Sequence, residues 1–362
     1  MCRILFPARE KRMRTNNKED GSSAHVPAHK AQEAAPPEGG EAECAEMRRE
    51  MASYIFGVDV GGTTVKLGLF DLEGNVSDKW EIPTRTQNGG ENILPDIAET
   101  IKKKMDEKSI AKEDVKGVGV GVPGPVDGNG VVHRAVNLGW NVVDLKSRLG
   151  ELLGGMKVEC GNDANVAALG EMWKGGGQGH QSIVAVTLGT GVGGGIIING
   201  KIMTGANGAG GEIGHIHVED AEKEACGCGN CGCLEEYASA TGITRLANRA
   251  LAASDKDSVL RSGEVSAKTV FDAVKAGDEL ATEVAQKFGE YLGKGLGTIA
   301  GVIDPEIFVI GGGVSKAGDI LFKFIRPPYE RTVFHACKET PFALATLGND
   351  AGIYGAARMV LD

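Results

Sequence analysis

The octet Asp59-Val-Gly61-Gly62-Thr63-Thr64-Val-Lys66 brings together a carboxylate, two glycines, two hydroxyls and an ammonium. A turn of this kind aims several backbone N–H groups at one point, and glycine lets a phosphate come close to them. Thr63 and Thr64 add hydroxyl donors and Lys66 adds charge. Asp59 falls at the end of the strand expected over Tyr54–Val60, where a carboxylate suits a magnesium ion held directly or through water. Leu188-Gly189-Thr190-Gly191-Val-Gly193-Gly-Gly195 repeats the design about 130 residues later. A third glycine cluster, Gly311-Gly312-Gly313, follows the expected buried strand Glu306–Ile310 and leaves room for a flat adenine against bare backbone. Neither of the first two turns matches G-x-x-x-x-G-K-[ST], so neither is a P-loop. Each runs into a strand and not a helix, which excludes a dinucleotide fingerprint. Either alone reads more readily as an unliganded hairpin; two matching turns and a third cluster argue for a nucleotide.

Phosphoryl transfer to a hydroxyl needs a carboxylate to take the proton and donors to hold the acceptor. Asp163, in Cys160-Gly-Asn162-Asp163-Ala-Asn165, lies just past a short expected strand and at the start of an expected helix. From spacing alone it is either a general base in a cleft or a helix cap. Asn162 beside it could bind a hydroxyl. Downstream, Cys226, Cys228, Cys231 and Cys233 crowd together after His215. Such close cysteines cannot all pair among themselves without strain, whereas thiolates and an imidazole suit tetrahedral zinc. Four cysteines and a histidine are one ligand too many, and the residues alone leave the choice open.

These groups need a scaffold. Strands are expected at Tyr54–Val60, Val65–Phe70, Trp80–Ile82, Gly117–Val122, Lys157–Glu159, Ile183–Leu188, Gly194–Ile198, Glu306–Ile310 and Ala343–Leu347. Helices are expected at Ile93–Met105, Val142–Leu153, Ala164–Lys174 and Ala351–Leu361. The clearest runs over Leu280–Val302, with Val284, Phe288, Leu292, Leu296 and Ile299 on one face. The echo between the two β-ribbons predicts a duplicated α/β unit with a cleft between the halves.

Composition narrows the class. Glycine is abundant, 55 of 362 residues, but 12 prolines and no G-X-Y period exclude collagen. A net charge of −10 makes nucleic acid a poor partner, and no apolar run reaches the ~18–20 residues of a membrane span. Residues 1–14 lack the apolar core of a signal peptide, so a reducing, cytoplasmic setting is expected. The segment 1–53 has no hydrophobic periodicity and reads as a disordered tail or an over-extended start. Removing residues 1–50 should therefore leave activity and melting temperature unchanged; a drop of several degrees would show that the segment docks on the fold.

From residue 54 onward the chain resembles a bacterial ATP-dependent glucokinase of the ROK family (repressors, open reading frames, kinases). The run Val186–His215, VTLGTGVGGGIIINGKIMTGANGAGGEIGH, is similar to the family signature throughout. The resemblance implies an α/β fold of two actin-like ATPase (ribonuclease H-like) domains around a cleft. The small domain would be 54–166 plus 349–362, and the large one 167–348 with a zinc loop at 215–235. It assigns Asp59–Lys66 and Leu188–Gly195 to phosphate and Gly311–Gly313 to the nucleoside. It makes Asp163 the catalytic base, with Asn162, Glu212, His215 and Glu235 as sugar ligands and Asn137 as a weaker contact. The family pattern C-x-C-G-x-x-G-C-x-E selects His215, Cys226, Cys228 and Cys233 for a structural zinc and leaves Cys231 outside. His215 would meet zinc with one ring nitrogen and a sugar hydroxyl with the other, while His217 reads as an ordinary surface histidine. The implied reaction is glucose and magnesium-bound ATP to glucose 6-phosphate and ADP, in a homodimer or homotetramer. Fructose, N-acetylmannosamine or N-acetylglucosamine kinases share the motifs, and polyphosphate is a conceivable donor. A sugar-responsive repressor would need a helix-turn-helix domain of roughly 60–80 residues ahead of Tyr54.

Overall fold

A computed structural model describes residues 53–361; the expectation for the segment ahead of them lies outside the described residues. Strands β1 (Tyr54–Val60), β2 (Thr64–Phe70) and β3 (Val76–Pro83) form an antiparallel meander. Helix α1 (Ile93–Lys108) follows, burying Ile93, Leu94, Ile97, Ala98, Ile101 and Met105 as one stripe. Strands β4 (Val115–Val122) and β5 (Val158–Asn162), separated by helix α2 (Leu145–Leu152), then add in parallel. The sheet order is β3-β2-β1-β4-β5. Helix α3 (Asp163–Lys174) leaves β5 directly.

The second sheet repeats this plan. Strands β6 (Ile183–Leu188) and β7 (Val192–Ile198) form a hairpin extended by the short β8 (Lys201–Ile202). Helices α4 (Ala240–Ala253), α5 (Ala267–Lys275) and α6 (Glu279–Ile303) precede β9 (Ile307–Gly311), and α7 (Ile320–Thr332) precedes β10 (Phe342–Leu344). The order is β8-β7-β6-β9-β10, with β9 and β10 parallel to their neighbours as β4 and β5 are. The echo in the sequence thus corresponds to two sheets of one topology. The last helix, α8 (Ala351–Met359), packs on α3, with Gly355 closing onto Val166.

The departures from the expected elements have local causes. The helix expected from Val142 starts at Leu145, because Val143–Asp144 is extended and the Asp144 carboxylate caps the Ser147 N–H. The strand expected over Lys157–Glu159 continues through Asn162, pairing with β4. The strand expected to reach Leu347 stops at Leu344, because the N–H groups of Thr346 and Leu347 turn to the Glu171 carboxylate instead. Helix α7 was not expected, since it contains Pro327 and Pro328. Interior proline costs about 3 kcal/mol. Burial of Leu321, Ile325 and Tyr329 stabilises by roughly 1.5–3 kcal/mol each and offsets it. Gly289 and Gly293 of α6 let the two helix backbones approach there.

Candidate active site

Both glycine turns are braced from outside. In the first, Asp59 pairs with Lys66 and Val60 with Val65 across the hairpin. The Thr84 hydroxyl donates to the Gly61 carbonyl at 2.7 Å and the Thr84 N–H to the Thr63 carbonyl at 2.9 Å. In the second, Thr187 pairs with Gly193 and Leu188 with Val192. The Gly189 carbonyl accepts from Ala240 N–H, at the start of α4, at 2.8 Å. Thr190 and Gly191 form the tip.

Asp59 is half-buried, and burial chiefly pushes its carboxyl up to about 6, against the opposing charge of Lys66 and with that of Asp163. The Lys66 ammonium also donates to the Asn349 carbonyl at 3.1 Å. The carboxyl of Asp163 is raised too, mainly by burial and further by the charge of Glu212; the Ala164 N–H and Asn162 carboxamide pull the other way. Asp59, Asp163 and Glu212 therefore share one field. A hard dication suits that oxygen set, and Asp59 offers it a carboxylate beside the first turn.

Spacing left Asp163 between base and cap. The N-cap of α3 is Asn162, whose Oδ1 accepts from Ala164 and Asn165 N–H groups at 3.1 and 3.3 Å. Asp163 Oδ1 shares the Ala164 N–H at 2.8 Å. Asn162 also donates through Nδ2 to the Gly124 carbonyl at 3.2 Å, tying the helix start to the 123–125 loop. Asn137 is exposed in a short helical turn, packed near Gly62 of the first turn.

The cysteine loop converges on one point. The ligand atoms of His215, Cys226, Cys228 and Cys233 all lie within 4.8 Å of one another. Cys228 Sγ is 3.6 Å from Cys233 Sγ, and Cys226 Sγ is 3.7 Å from His215 Nδ1. A tetrahedron with Zn–S near 2.3 Å has S···S edges of about 3.8 Å, so the residues fit zinc. Burial pushes the Cys226 thiol up and the Cys233 thiol up to about 12, so three thiolates here call for a cation. Cys231 points away, toward the Lys223 carbonyl at 3.6 Å. The other nitrogen of His215, Nε2, lies 4.0 Å from Glu212 Oε2. His217 is exposed and bonded to Asp220 Oδ1 and the Cys231 carbonyl, within its own loop.

Glu235 departs from the simplest reading of a loop that serves the sugar alone. Its Oε2 accepts the Val192 N–H of the second glycine turn at 2.9 Å, and its Oε1 is 3.7 Å from Cys226 Sγ. A Cβ at Gly191 would displace the Glu235 carboxylate from this position. One side chain thus joins the metal loop to a phosphate turn. Sequence reasoning did not anticipate this contact, which no spacing encodes.

The third glycine cluster opens onto a cavity of about 500 Å³, lined also by Thr187, Ser315, Lys316 and Thr346. Gly312 has φ of +82°, and a Cβ there would strike the Leu188 backbone, so β9 can pass close to the end of β6 only with glycine. Glu171, missed in the sequence, also lines this cavity. Its signal was a lone carboxylate in the apolar run Val166–Trp173.

Two sheets of one topology, each carrying a glycine turn in its first hairpin, define a sugar-kinase-like ATPase architecture. The ROK family model matches residues 55–362, and the chain belongs to that family. It is 45% identical to the glucokinase of Halalkalibacterium halodurans, over 85% of this chain and 94% of that protein. It is 38% identical to the glucokinase of Thermotoga maritima, over 85% and 97%. Among solved structures, it is similar to a ROK family glucokinase from Streptomyces griseus in complex with glucose and AMPPNP. The TM-score is 0.65 at 34% identity, covering 84% of this chain and 98% of that one.

Proposed function

We propose that this protein transfers the γ-phosphoryl group of ATP to the 6-hydroxyl of glucose, giving glucose 6-phosphate. The observation that carries this reading is the 45% identity to a glucokinase over 85% of this chain, with Asp163 standing at the start of α3 behind the capping Asn162. The relatives named glucokinase, at 36–45% identity, support glucose over the N-acetyl-D-glucosamine kinases at 30%.

In this reading the nucleoside lies in the cavity at Gly311–Gly313, and the phosphates lie against Gly61–Thr64 and Gly189–Gly193. A magnesium ion held through Asp59 would neutralise phosphate charge. Glu212, Asn162, His215 Nε2 and Glu235 orient the sugar hydroxyls, with Asn137 at the rim. Asp163 accepts the proton of the 6-hydroxyl as its oxygen attacks. Its carboxyl, raised by burial, is a stronger base than a free aspartate. The acid limb of kcat/KM should therefore fall as pH drops through that raised value, and it should vanish in Asp163→Asn.

His215, Cys226, Cys228 and Cys233 would hold a structural zinc with no open position for water. The small (54–166 plus 349–362) and large (167–348) domains would close on the substrates and exclude water as a competing acceptor. We take the active form to be a homodimer or homotetramer in the cytoplasm. Among the described residues no helix is long and apolar enough to cross a membrane.

ADP release with glucose, fructose, mannose, N-acetylmannosamine and N-acetylglucosamine tests the substrate. Glucose should have the highest kcat/KM; a higher value for an N-acetyl sugar would move the protein to another kinase of the family.

A further inference from the structure

We infer that Glu171 is a positioning residue for the nucleotide, fixing one wall of the nucleoside cavity from the far end of the helix that starts at Asp163. The inference rests on reading that cavity as the nucleoside site. Glu171 is only 4% exposed, and a carboxylate so buried needs partners. It has three, all backbone: Oε2 accepts from Gly176 N–H at 2.9 Å and Thr346 N–H at 3.0 Å, and Oε1 accepts from Leu347 N–H at 2.9 Å. Among the described residues no basic side chain bonds to it, so its charge is spent on holding two loops.

The held loops matter for what comes next in the chain. Ala345, Thr346, Gly348 and Asn349 all line the cavity. Asn349 then offers its carbonyl to Lys66, whose charge bears on Asp59. The segment 345–349 therefore runs from the nucleoside wall to the first phosphate turn, and Glu171 pins its middle. Asp163 and Glu171 sit eight residues apart on α3, about 12 Å along a rigid rod. That one helix sets the proposed base at one end and the wall of the nucleoside cavity at the other. The sugar-side residues Glu212, His215 and Glu235 make no bond to Glu171.

Glu171→Gln keeps the shape but faces an amide N–H₂ toward backbone donors. It should raise KM and Kd for ATP about tenfold while KM for glucose stays within about twofold. Glu171→Asp, which keeps the charge, should recover part of the ATP affinity. Equal weakening of ATP and glucose, or no change in either, would overturn the assignment. Hydrogen exchange on the unaltered full-length chain gives a reading that no misfolded variant can spoil. The Thr346 and Leu347 amides should be protected without ligand and more protected with ATP, but not with glucose. Exchange at the rate of open loops would contradict the inference. A separate variant tests the cavity. Gly313 has open space where a Cβ would go, so Gly313→Phe should fill the cavity and abolish ATP binding. Normal ATP binding by Gly313→Phe would sink the nucleoside reading itself. Loss there with normal affinity in Glu171→Gln would sink only the role of Glu171.

Discussion

Asp163→Asn is expected to lower kcat by at least ~10²-fold, the scale of a positioned general base, without losing thermal stability at neutral pH. The stability half follows from linkage. Burial raises the Asp163 pKa in the folded protein above its unfolded value. A raised acid pKa means that the folded state binds the proton more tightly. The ionised side chain thus weighs against folding increasingly as pH rises through that window. Asparagine carries no such charge, and it can still share the Ala164 N–H. Its melting temperature at pH 7 should equal or exceed that of the parent. If Asp163 were only a cap, activity would persist, because asparagine caps a helix about as well as aspartate. Activity is therefore the readout that separates the two readings. Capping by Asn162 is the structural reason to expect the first.

Loss of a single thiolate from the cysteine loop is the second large effect. Cys228→Ser and Cys233→Ser should each lose bound zinc and melt roughly 5–10 °C lower, since metal binding contributes folding free energy. Cys231→Ser should keep one zinc per chain. Sugar affinity should fall about tenfold in the first two variants, because the loop holds His215 and Glu235. Affinity for ATP should fall as well, by a smaller factor, because Glu235 also holds the Val192 N–H. Metal analysis with titrations of both substrates separates the cases. Retention of zinc by Cys228→Ser with loss by Cys231→Ser would overturn the ligand set. Unchanged ATP affinity after metal loss would show that the bond from Glu235 to the second turn carries no weight.

Much of the scaffold was legible because its signals are local. The strand–glycine–strand runs at Asp59–Lys66 and Leu188–Gly195 need no long-range information, and they are where the two hairpins fall. The apolar stripe of α6 and the alternation of glycine and valine in β4 are equally local. The crowding of Cys226, Cys228 and Cys233 with His215 was readable once the family pattern removed Cys231, and their ligand atoms do gather. What was not legible depends on contacts far apart in sequence. Helix α7 survives two prolines only because α6 covers it. Strand β10 ends early because a carboxylate on α3 takes the N–H groups of Thr346 and Leu347 just beyond it. Glu235 reaches a turn 43 residues upstream. Propensity and periodicity carry no record of such contacts.

The most direct test of the account is the identity of the product. Full-length protein with glucose, MgATP and no other acceptor should yield ADP and phosphorylated sugar in equal amounts. Phosphorus and carbon NMR should place the phosphate on the 6-hydroxyl, and 6-deoxyglucose should release no ADP above the background of water as acceptor. Phosphate on any other hydroxyl, or turnover of 6-deoxyglucose at a rate like that of glucose, would contradict the proposed geometry of Asp163 and the second substrate.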